Sequence, residues 1–542
     1  MTGTVKPAGR SLRWKVVVNT LIVMFGALLS RVLGTVRDGA IAYRFGVPNA
    51  SLDTYYTAFQ VPDLLYIVIS GGALASTLIP VFQQVWHDEG AERAWEVVSA
   101  VVNLVLIALL VAALLVVVLA SPLSAFYFAS KPVAQQHLLA QMMRLFIISS
   151  PFLLGLGGIA MAVLNARERF GWTAAAFNLY NLAIIGGAVF LAQRFGIWGV
   201  AWGVVAGAFL YLLIMLPGLM VEHAHYVPRL GLRDPAVRRV GRLLVPRLIG
   251  QAAAQVGLLA TGVFAARLPN NQFTALRNAN QLMQLPHGIF VLSLVTVMFP
   301  QLARLWSSRE YKDFSSTALR TLRLVIFVSA PAAVVLGVLR VAVIRIVYER
   351  GNFTATSTLL VAAPLLLYAT ALVAFAASEP LIRTFYAMQD TRTPVLIGIG
   401  TIVLNIAISY LTVYFTHWGT SGLAFAFSIA NNLEAILLFA LLAPRLEGIR
   451  QSGLARSLLG MAISAATMGL ALWGLFVISR RYLPFLNLQS VYGHGADAIR
   501  LLVWLAAAGI WALLVYVGMA TLMHVPEVGE AWVLVRRRAG RA

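Results

Sequence analysis

Two arginines and an aspartate interrupt an apolar segment near the N-terminus. The stretch SRVLGTVRD places Arg31, Arg37 and Asp38 between the apolar runs VVVNTLIVMFGALL and AIAYRFG. A guanidinium group keeps its charge and can hold two phosphate oxygens at once. These residue types in an apolar setting therefore indicate binding of an anionic, phosphate-bearing substrate.

The free-energy cost of placing these charges in lipid limits the directions in which the side chains can point. Each charged side chain at mid-membrane costs roughly 2.5–3.5 kcal/mol, so three cost about 8–10 kcal/mol, which rivals the stability of a whole protein. We therefore expect them to face a water-filled cavity or each other. On a helix, Arg31 and Asp38 share a face and lie about 10 Å apart along the axis, while Arg37 points about 120° away.

Gly34 lies between the two arginines and is a candidate hinge, because glycine permits a helix to bend. Two structural alternatives to substrate binding stay open. Arg37 and Asp38 could simply pair with each other, or an arginine could extend its charged end to the membrane interface. Asp53, near the start of the second predicted helix, is a further binding candidate, although a carboxylate is also favourable there as a helix N-terminal residue.

Three more polar residues fall within later apolar segments. Arg247 and Gln281 are candidates to contribute to substrate binding from the second half of the chain. Glu379 is followed by Pro380, which kinks a helix and frees a carbonyl, so Glu379 is a candidate for proton or cation coupling. The alternative is a buried carboxylate paired with Arg383, one turn further on.

The amino-acid composition indicates which kind of secondary structure positions these residues. The chain has 542 residues, of which 60% are hydrophobic and 11% are charged, against roughly 25% charged in globular proteins. Apolar runs such as residues 97–120 recur along it, and each can cross a bilayer core of roughly 30 Å. The sequence therefore predicts an all-α polytopic membrane protein.

Several function classes are excluded or disfavoured. Without cysteine there is no disulfide or thiol chemistry, and the eight histidines form no HExxH pattern. No GxxxxGK[ST] phosphate loop occurs, so we expect no ATPase activity, no metal and no bound cofactor. The net charge of +21 is better explained by membrane topology than by nucleic-acid binding.

The apolar runs predict about fourteen transmembrane helices. A basic loop at residues 221–242 is placed inside by the positive-inside rule, with both chain ends cytoplasmic. The approximate spans are 15–45, 54–85, 95–121, 136–163, 172–193, 197–220, 243–267, 273–303, 317–347, 356–388, 393–416, 420–444, 454–479 and 499–524.

An internal repeat divides these helices. Asn181 in NLYNLAIIGG matches Asn405 in TIVLNIAISY in the second half of the chain. At nearly the same spacing, FGIWGVAWG matches WGTSGLAFA, QVPDLL matches QLPHGI, and RVLG matches RLIG, which aligns Arg31 with Arg247. Because each half holds six helices, the two are parallel repeats, an arrangement typical of transporters that open a central cavity to either side.

The repeat predicts the domain organisation, with two C-terminal helices outside it. The predicted segments are a cytoplasmic tail 1–14, an N-lobe 15–220 with helices one to six, a basic linker 221–242, a C-lobe 243–445 with helices seven to twelve, the last two helices 454–524, and a basic tail 525–542.

Five stretches together resemble a known family. SRVLGTVRD, LDTYYTAFQVPDLLYIVISGGALASTLIPVF, QLMQLPHGIF, YERGNFT and FYAMQDTRTPV are similar to the MurJ (MviN) lipid II flippases of the MOP (multidrug/oligosaccharidyl-lipid/polysaccharide) exporter superfamily. The resemblance covers roughly residues 15–525. It implies fourteen helices in two lobes, with the last two helices forming a hydrophobic groove.

The resemblance also implies a substrate and its ligands. The substrate would be lipid II, an undecaprenyl diphosphate that carries a disaccharide and a pentapeptide. Arg31 and Arg37 match family arginines that line the central cavity, and Asp38 and Asp53 match acidic positions there. The sequence departs from the family at Tyr66 and at Gln281, where some relatives have arginine. The cavity is then less positive, unless Arg247 compensates.

The function expected from the resemblance is transport without a covalent step. The chain would lie in the bacterial plasma membrane and carry lipid II from the inner to the outer leaflet by alternating access, driven by membrane potential or a monovalent cation. Membrane lipids and cell-wall synthesis proteins are the other expected partners. Two alternatives are export of another lipid-linked saccharide or an amphipathic drug, and a membrane glycosyltransferase or ligase. The second needs convergent carboxylates, but the outside loop 480–498 holds only Asp497.

Overall fold

The structure is a computed structural model that describes residues 10–67, 72–268, 272–449, 453–487 and 495–529. Within these ranges, the side chains at 10–24, 27, 72–76, 148, 150, 245–247, 249–254 and 495–496 lie outside the description. The described residues form α-helices joined by short turns, and no strand occurs among them. The predicted all-α membrane fold is confirmed.

The chain divides into two compact units, residues 1–267 and 268–542. The helices of the first unit are α1 Arg10–Phe45, α2 Ala50–Leu65, α3 Gly72–Asp88, α4 Ala91–Tyr127, α5 Val133–Ser149, α6 Gly155–Ala166, α7 Phe170–Gly186, α8 Ala192–Phe195, α9 Ile197–Leu213, α10 Leu216–Val221 and α11 Pro235–Arg267. Those of the second are α12 Phe273–Pro286, α13 Leu292–Ser307, α14 Tyr311–Val338, α15 Arg340–Tyr348, α16 Ala355–Ala387, α17 Arg392–Phe415, α18 Thr420–Leu442, α19 Leu454–Tyr482 and α20 Gly495–Leu522.

Helix α4 shows why these segments suit a bilayer. Its 37 residues span about 55 Å, more than the roughly 30 Å hydrocarbon core. Leu109 and Ala113 are buried, while Leu110, Leu114 and Val118 are more than half exposed. A helix that is apolar on its outer face as well as its packed face requires a lipid surround.

Eleven helical segments in the described ranges are long and apolar enough to span a membrane. The first, second and seventh predicted spans coincide with α1, with α2 and α3, and with α11, and each includes positions outside the description. The protein is a multi-pass membrane protein, and the count of fourteen spans stays a prediction.

The two units carry the same backbone features in the same order. Glu168 and Gln389 both take a left-handed conformation, just after α6 and just after α16. Gly196 and Gly419 both have positive φ, at the starts of α9 and α18. Matching helix ends at corresponding places in the two units support the repeat found in the sequence.

An ion pair also recurs at corresponding positions, with its signs exchanged. Arg169, after α6, pairs with Glu222, after α10, at 2.7 Å. In the second unit, Asp390 follows α16 and pairs with Arg445 at 2.7 Å. The two pairs join equivalent turns to equivalent helix ends. Each pair therefore ties a loop to the last helix of its own half.

Helix α11 packs within the first unit, where it contacts α2, α3 and α4. Val237 and Val240 of α11 join a core cluster with Phe82 and Trp95. The repeat assigns residues 243–267 to the C-lobe, whereas the contacts of α11 place it with the first unit. In the second unit, α16 packs on α12, α14 and α18, and α19 packs on α14 and α20.

Candidate functional site

Arg37 is at the centre of a charged cluster inside a predicted span. Its Nε and Nη2 both lie 3.1 Å from Oδ1 of Asp38, and its Nη1 donates to Oδ1 of Asn181 on α7 at 3.1 Å. Asn181 is fixed in turn, because its Nδ2 donates to the Phe177 carbonyl at 3.0 Å. The guanidinium group is thus held by two helices.

The exposure of the two partners differs. Asp38 is 2% exposed, whereas the Arg37 side chain is 20% exposed. A buried carboxylate is tolerated only when it is paired, so Asp38 neutralises one charge and sets the orientation of Arg37. Each terminal guanidinium nitrogen carries a second N–H, and these donors can bind an anion at the exposed side.

Arg31 is set apart from this cluster. Its side chain is exposed, and within the described residues its guanidinium makes no ion pair or hydrogen bond. The shared face predicted for Arg31 and Asp38 does not bring them together, since Asp38 is buried against its neighbours. Helix α1 continues unbroken through Gly34, where a side-chain carbon added to the glycine would meet no atom within 4 Å. The hinge role of Gly34 stays a prediction.

Asp53 lies buried in the first turn of α2. It is not the N-cap, because Asn49 accepts the Leu52 N–H at 2.9 Å. Its negative charge acts on Lys131, in the turn between α4 and α5. Burial lowers the pKa of Lys131, and the negative charge of Asp53 opposes that shift. Asp53 therefore interacts electrostatically with a cation other than Arg37.

In the second unit, Gln281 lies on a polar stripe of α12. Arg277, Gln281 and Gln284 follow at the i, i+4 and i+7 positions of one helix face, within the candidate span Phe273–Ser307. Arg277 and Gln281 are half-buried. Arg277 was missed in the sequence, although FTALRNANQLMQLP shows it one turn before Gln281. The side chain of Arg247, on α11, lies outside the description.

Glu379 lies 3.7 Å from Arg383, and both side chains are about one-third exposed. The Arg383 guanidinium also lies over the Phe299 ring at 5.7 Å. The pairing expected as the structural alternative is thus present, and a coupling role for Glu379 stays a prediction. Among the described residues, no three His, Asp or Glu side chains are grouped to hold a metal ion.

Two buried ion pairs were not foreseen. Arg345 and Glu349, the latter being the glutamate of the YERGNFT motif, are 1% and 4% exposed and lie 3.2 Å apart. Arg323 on α14 pairs with the fully buried Glu527 at 2.7 Å, and Ser457 on α19 donates to Glu527 at 2.8 Å. Both pairs fasten the last two helices to the rest of the second unit.

The arrangement of helices has solved counterparts among membrane transporters. An inward-facing multidrug resistance MATE family transporter of the MOP superfamily aligns with a TM-score of 0.65 and 14% identity, over 78% of this chain and 96% of its own. The structure titled lipid II flippase MurJ, inward closed conformation, aligns with a TM-score of 0.75 and 21% identity, over 94% and 100%. The fold is that of the MOP-superfamily transporters.

Sequence comparison defines the family within that class. A family model described as lipid II flippase MurJ matches residues 41–492. A probable lipid II flippase MurJ of Rhizobium tropici is 30% identical over 539 residues, covering 97% of each chain, and one of Bdellovibrio bacteriovorus is 29% identical over 526 residues, covering 96% and 97%. The lipid II flippase MurJ of Burkholderia cenocepacia is 30% identical over 432 residues, covering 78% and 83%. The chain belongs to the lipid II flippase MurJ family.

Proposed function

We propose that this protein is a lipid II flippase that moves the undecaprenyl-diphosphate-linked peptidoglycan precursor from the inner to the outer leaflet for cell-wall synthesis. Family membership supports the substrate. The observation that carries the proposal is the Arg37 guanidinium, which is held by Asp38 and Asn181 within a membrane helix yet keeps an exposed side. A diphosphate is the anion that such a pre-oriented guanidinium binds well.

The proposed binding set draws on both halves of the chain. Arg37 with Asp38 forms the oriented cation, and the exposed Arg31 offers a second guanidinium six residues earlier on α1. Arg277 beside Gln281 supplies a cation on α12 that offsets the arginine missing at Gln281. These residues would bind the head group, while the prenyl tail stays in lipid along the last two helices.

The proposed transport cycle is alternating access. The head group enters from the cytoplasmic leaflet, the lobes rock, and the head group leaves at the outer leaflet. Both chain ends would be cytoplasmic, which the basic loop 221–242 supports. No bond of the substrate is broken. Membrane potential or a monovalent cation would drive the return, with Glu379 as the candidate coupling carboxylate.

Complementation after depletion of the host flippase tests the proposal. We expect Arg37→Ala to lower lipid II exposure at the outer leaflet at least tenfold, because one charge-assisted contact contributes roughly 1.5–3 kcal/mol. Arg144→Gln is the matched control. Arg144 is also an intramembrane arginine, but it donates to the Val117 carbonyl at 3.3 Å and to Ser121 Oγ at 3.1 Å.

Two outcomes would contradict the proposal. Normal lipid II exposure with both Arg31→Ala and Arg37→Ala would remove the binding role of these arginines. Failure of the wild-type chain to expose lipid II, together with export of an amphipathic dye or another lipid-linked saccharide, would assign it to a sister branch of the superfamily.

A further inference from the structure

A cavity of about 580 Å³ lies in the second unit, away from the residues assigned to the head group of lipid II. It is bounded by the turn from α14 to α15 and by the last three turns of α19. Three arginines, Arg340, Arg480 and Arg481, line it together with apolar side chains. No carboxylate is among the described residues that line it.

The lining is ordered along α19. Trp473, Phe476, Val477 and Arg480 occupy the i, i+3, i+4 and i+7 positions of one helix face. The apolar groups lie toward the middle of the helix, and the arginines lie at its end. Trp473 is 60% exposed, and Trp is enriched at the level of membrane head groups. The site therefore has an apolar floor and a cationic rim, which are complementary to the apolar tail and anionic head of an amphiphile.

The positive charge of the rim is not neutralised by the described part of the protein. Arg340 Nη1 donates to the Gly337 carbonyl at 2.6 Å, and Arg480 Nε donates to Asn487 Oδ1 at 2.8 Å. Neither bond involves a carboxylate, and the described residues give none of the three arginines an ion pair. The following residues 488–494, LQSVYGH, contain no acidic residue.

The nearby carboxylates are already engaged. Asp497 pairs with Arg500 at 3.2 Å, and Glu349 pairs with Arg345 at 3.2 Å. Three guanidinium groups around one cavity therefore repel each other unless an anion lies between them. The described part of the chain supplies no such anion at this cavity.

Helix stabilisation explains only part of this cluster. Arg480 and Arg481 lie in the last turn of α19, where the helix dipole favours cations. Arg340 is the first residue of α15, where the dipole disfavours a cation and favours an anion. An anion bound beside Arg340 would satisfy both the helix end and the arginines.

We propose that this cavity binds one anionic glycerophospholipid. The phosphate lies between Arg340, Arg480 and Arg481, and the upper acyl chains pack on Trp473, Phe476 and Val477. A phosphodiester matches the guanidinium groups, and the exposed apolar face continues into the lipid that surrounds the helix. The bound lipid joins α14, α15 and α19, and it is separate from the transported lipid.

The test uses the purified full-length protein in detergent, with native mass spectrometry to count bound lipid during titration with phosphatidylglycerol or phosphatidylcholine. We expect tighter binding of phosphatidylglycerol. Each arginine near a phosphate contributes about fivefold to affinity, so the triple change Arg340→Gln, Arg480→Gln and Arg481→Gln lowers phosphatidylglycerol affinity about a hundredfold.

Matched variants distinguish lipid binding at this site from a general effect of the protein's positive charge. The control Arg350→Gln with Arg392→Gln removes two exposed arginines that do not line the cavity, and it leaves binding unchanged. A second variant, with the three cavity arginines changed to lysine, keeps the charge and the helix-end effect. It binds phosphatidylglycerol more weakly than wild type but more tightly than the glutamine variant, and its unfolding temperature shows that the fold is retained.

Three results would overturn the assignment. The first is equal affinity for phosphatidylglycerol and phosphatidylcholine. The second is an equal loss of affinity in the control and in the triple variant. The third is binding of a polyprenyl diphosphate, but not of phosphatidylglycerol, that the triple variant abolishes; the cavity would then be a second subsite for the transported lipid.

Discussion

Removing one partner of the buried Arg345–Glu349 pair should destabilise the second unit strongly. Glu349 accepts from Arg345 Nε at 3.2 Å and from Thr358 Oγ1 at 2.6 Å. Arg345 Nη1 also donates to the carbonyls of Phe485 at 2.9 Å and Asn487 at 3.2 Å. Glu349→Gln leaves the Arg345 charge buried, 1% exposed, without this counter-ion.

The expected size of the effect follows from this burial. Breaking a buried ion pair by removing one partner costs roughly 3–5 kcal/mol. Glutamine keeps an oxygen that can accept one hydrogen bond, so we expect a loss of about 3 kcal/mol in the free energy of unfolding, at the lower end of that range. That loss corresponds to a factor of about a hundred in the folding equilibrium.

A double-mutant cycle measures the pair itself. The variants are Glu349→Gln, Arg345→Met and the double change, and their unfolding in detergent is followed by circular dichroism during denaturant titration. Because Arg345→Met removes the charge that Glu349→Gln strands, the double variant should be at least about 2 kcal/mol more stable than the sum of the single effects predicts.

The exposed pair formed by Asp497 and Arg500 is the matched control. Its side chains are 28% and 66% exposed, and an exposed pair couples by only about 0.2–1 kcal/mol. If Glu349→Gln costs no more than Asp497→Asn, the buried pair does not stabilise the attachment of the last two helices, and the reasoning is refuted.

Two further changes have equally direct outcomes. The backbone N–H of Thr393 holds the pKa of Asp390 at about 2, so the stability due to this carboxylate is full above about pH 4 and is lost as the pH falls toward 2. Asp390→Asn should reduce this loss of unfolding free energy between about pH 4 and pH 2, measured by equilibrium unfolding at a series of pH values. An unchanged pH dependence would contradict the role of Asp390. A Cβ on Gly199 would lie 2.4 Å from the Ala192 nitrogen, so Gly199→Ala should cost about 1–3 kcal/mol in thermal unfolding. Gly186→Ala, with nothing within 4 Å of the added carbon, is the control, and equal unfolding temperatures for the two variants would refute the close contact.

Local spacing in the sequence predicted some of these contacts. Arg37 and Asp38 are adjacent, and Glu379 and Arg383 are one helical turn apart, so their pairing was foreseen as an alternative. Long apolar runs likewise predicted the helical membrane fold, because bilayer thickness leaves few other structures for them.

Contacts between segments that are distant in the sequence could not be predicted from local spacing. Asn181 holds Arg37 from 144 residues away, and nothing in its own neighbourhood indicates that partner. Arg345 and Glu349 have helical spacing, but their burial depends on carbonyls of Phe485 and Asn487, which lie far along the chain. Spacing can predict a pair, whereas burial requires the tertiary fold.

The internal repeat shows a second limit of prediction from sequence, which is that residue types can change while the structure is kept. The pairs Arg169–Glu222 and Asp390–Arg445 occupy equivalent positions, but their charges are exchanged, so a search for matching residue types does not find them. The helix ends at Glu168 and Gln389 are equally hidden, because their shared feature is a backbone conformation. Backbone geometry preserves the repeat where side-chain identity has changed.

Reconstitution of the purified chain with labelled lipid II in liposomes tests the central claim most directly. The measured quantity is the fraction of lipid II that crosses to the opposite leaflet, in wild type and in Arg37→Gln. Our account predicts rapid crossing with the wild-type chain and at least a tenfold slower rate with Arg37→Gln, at equal protein content. Equal rates for the two proteins would contradict a flippase that holds its substrate's diphosphate at Arg37.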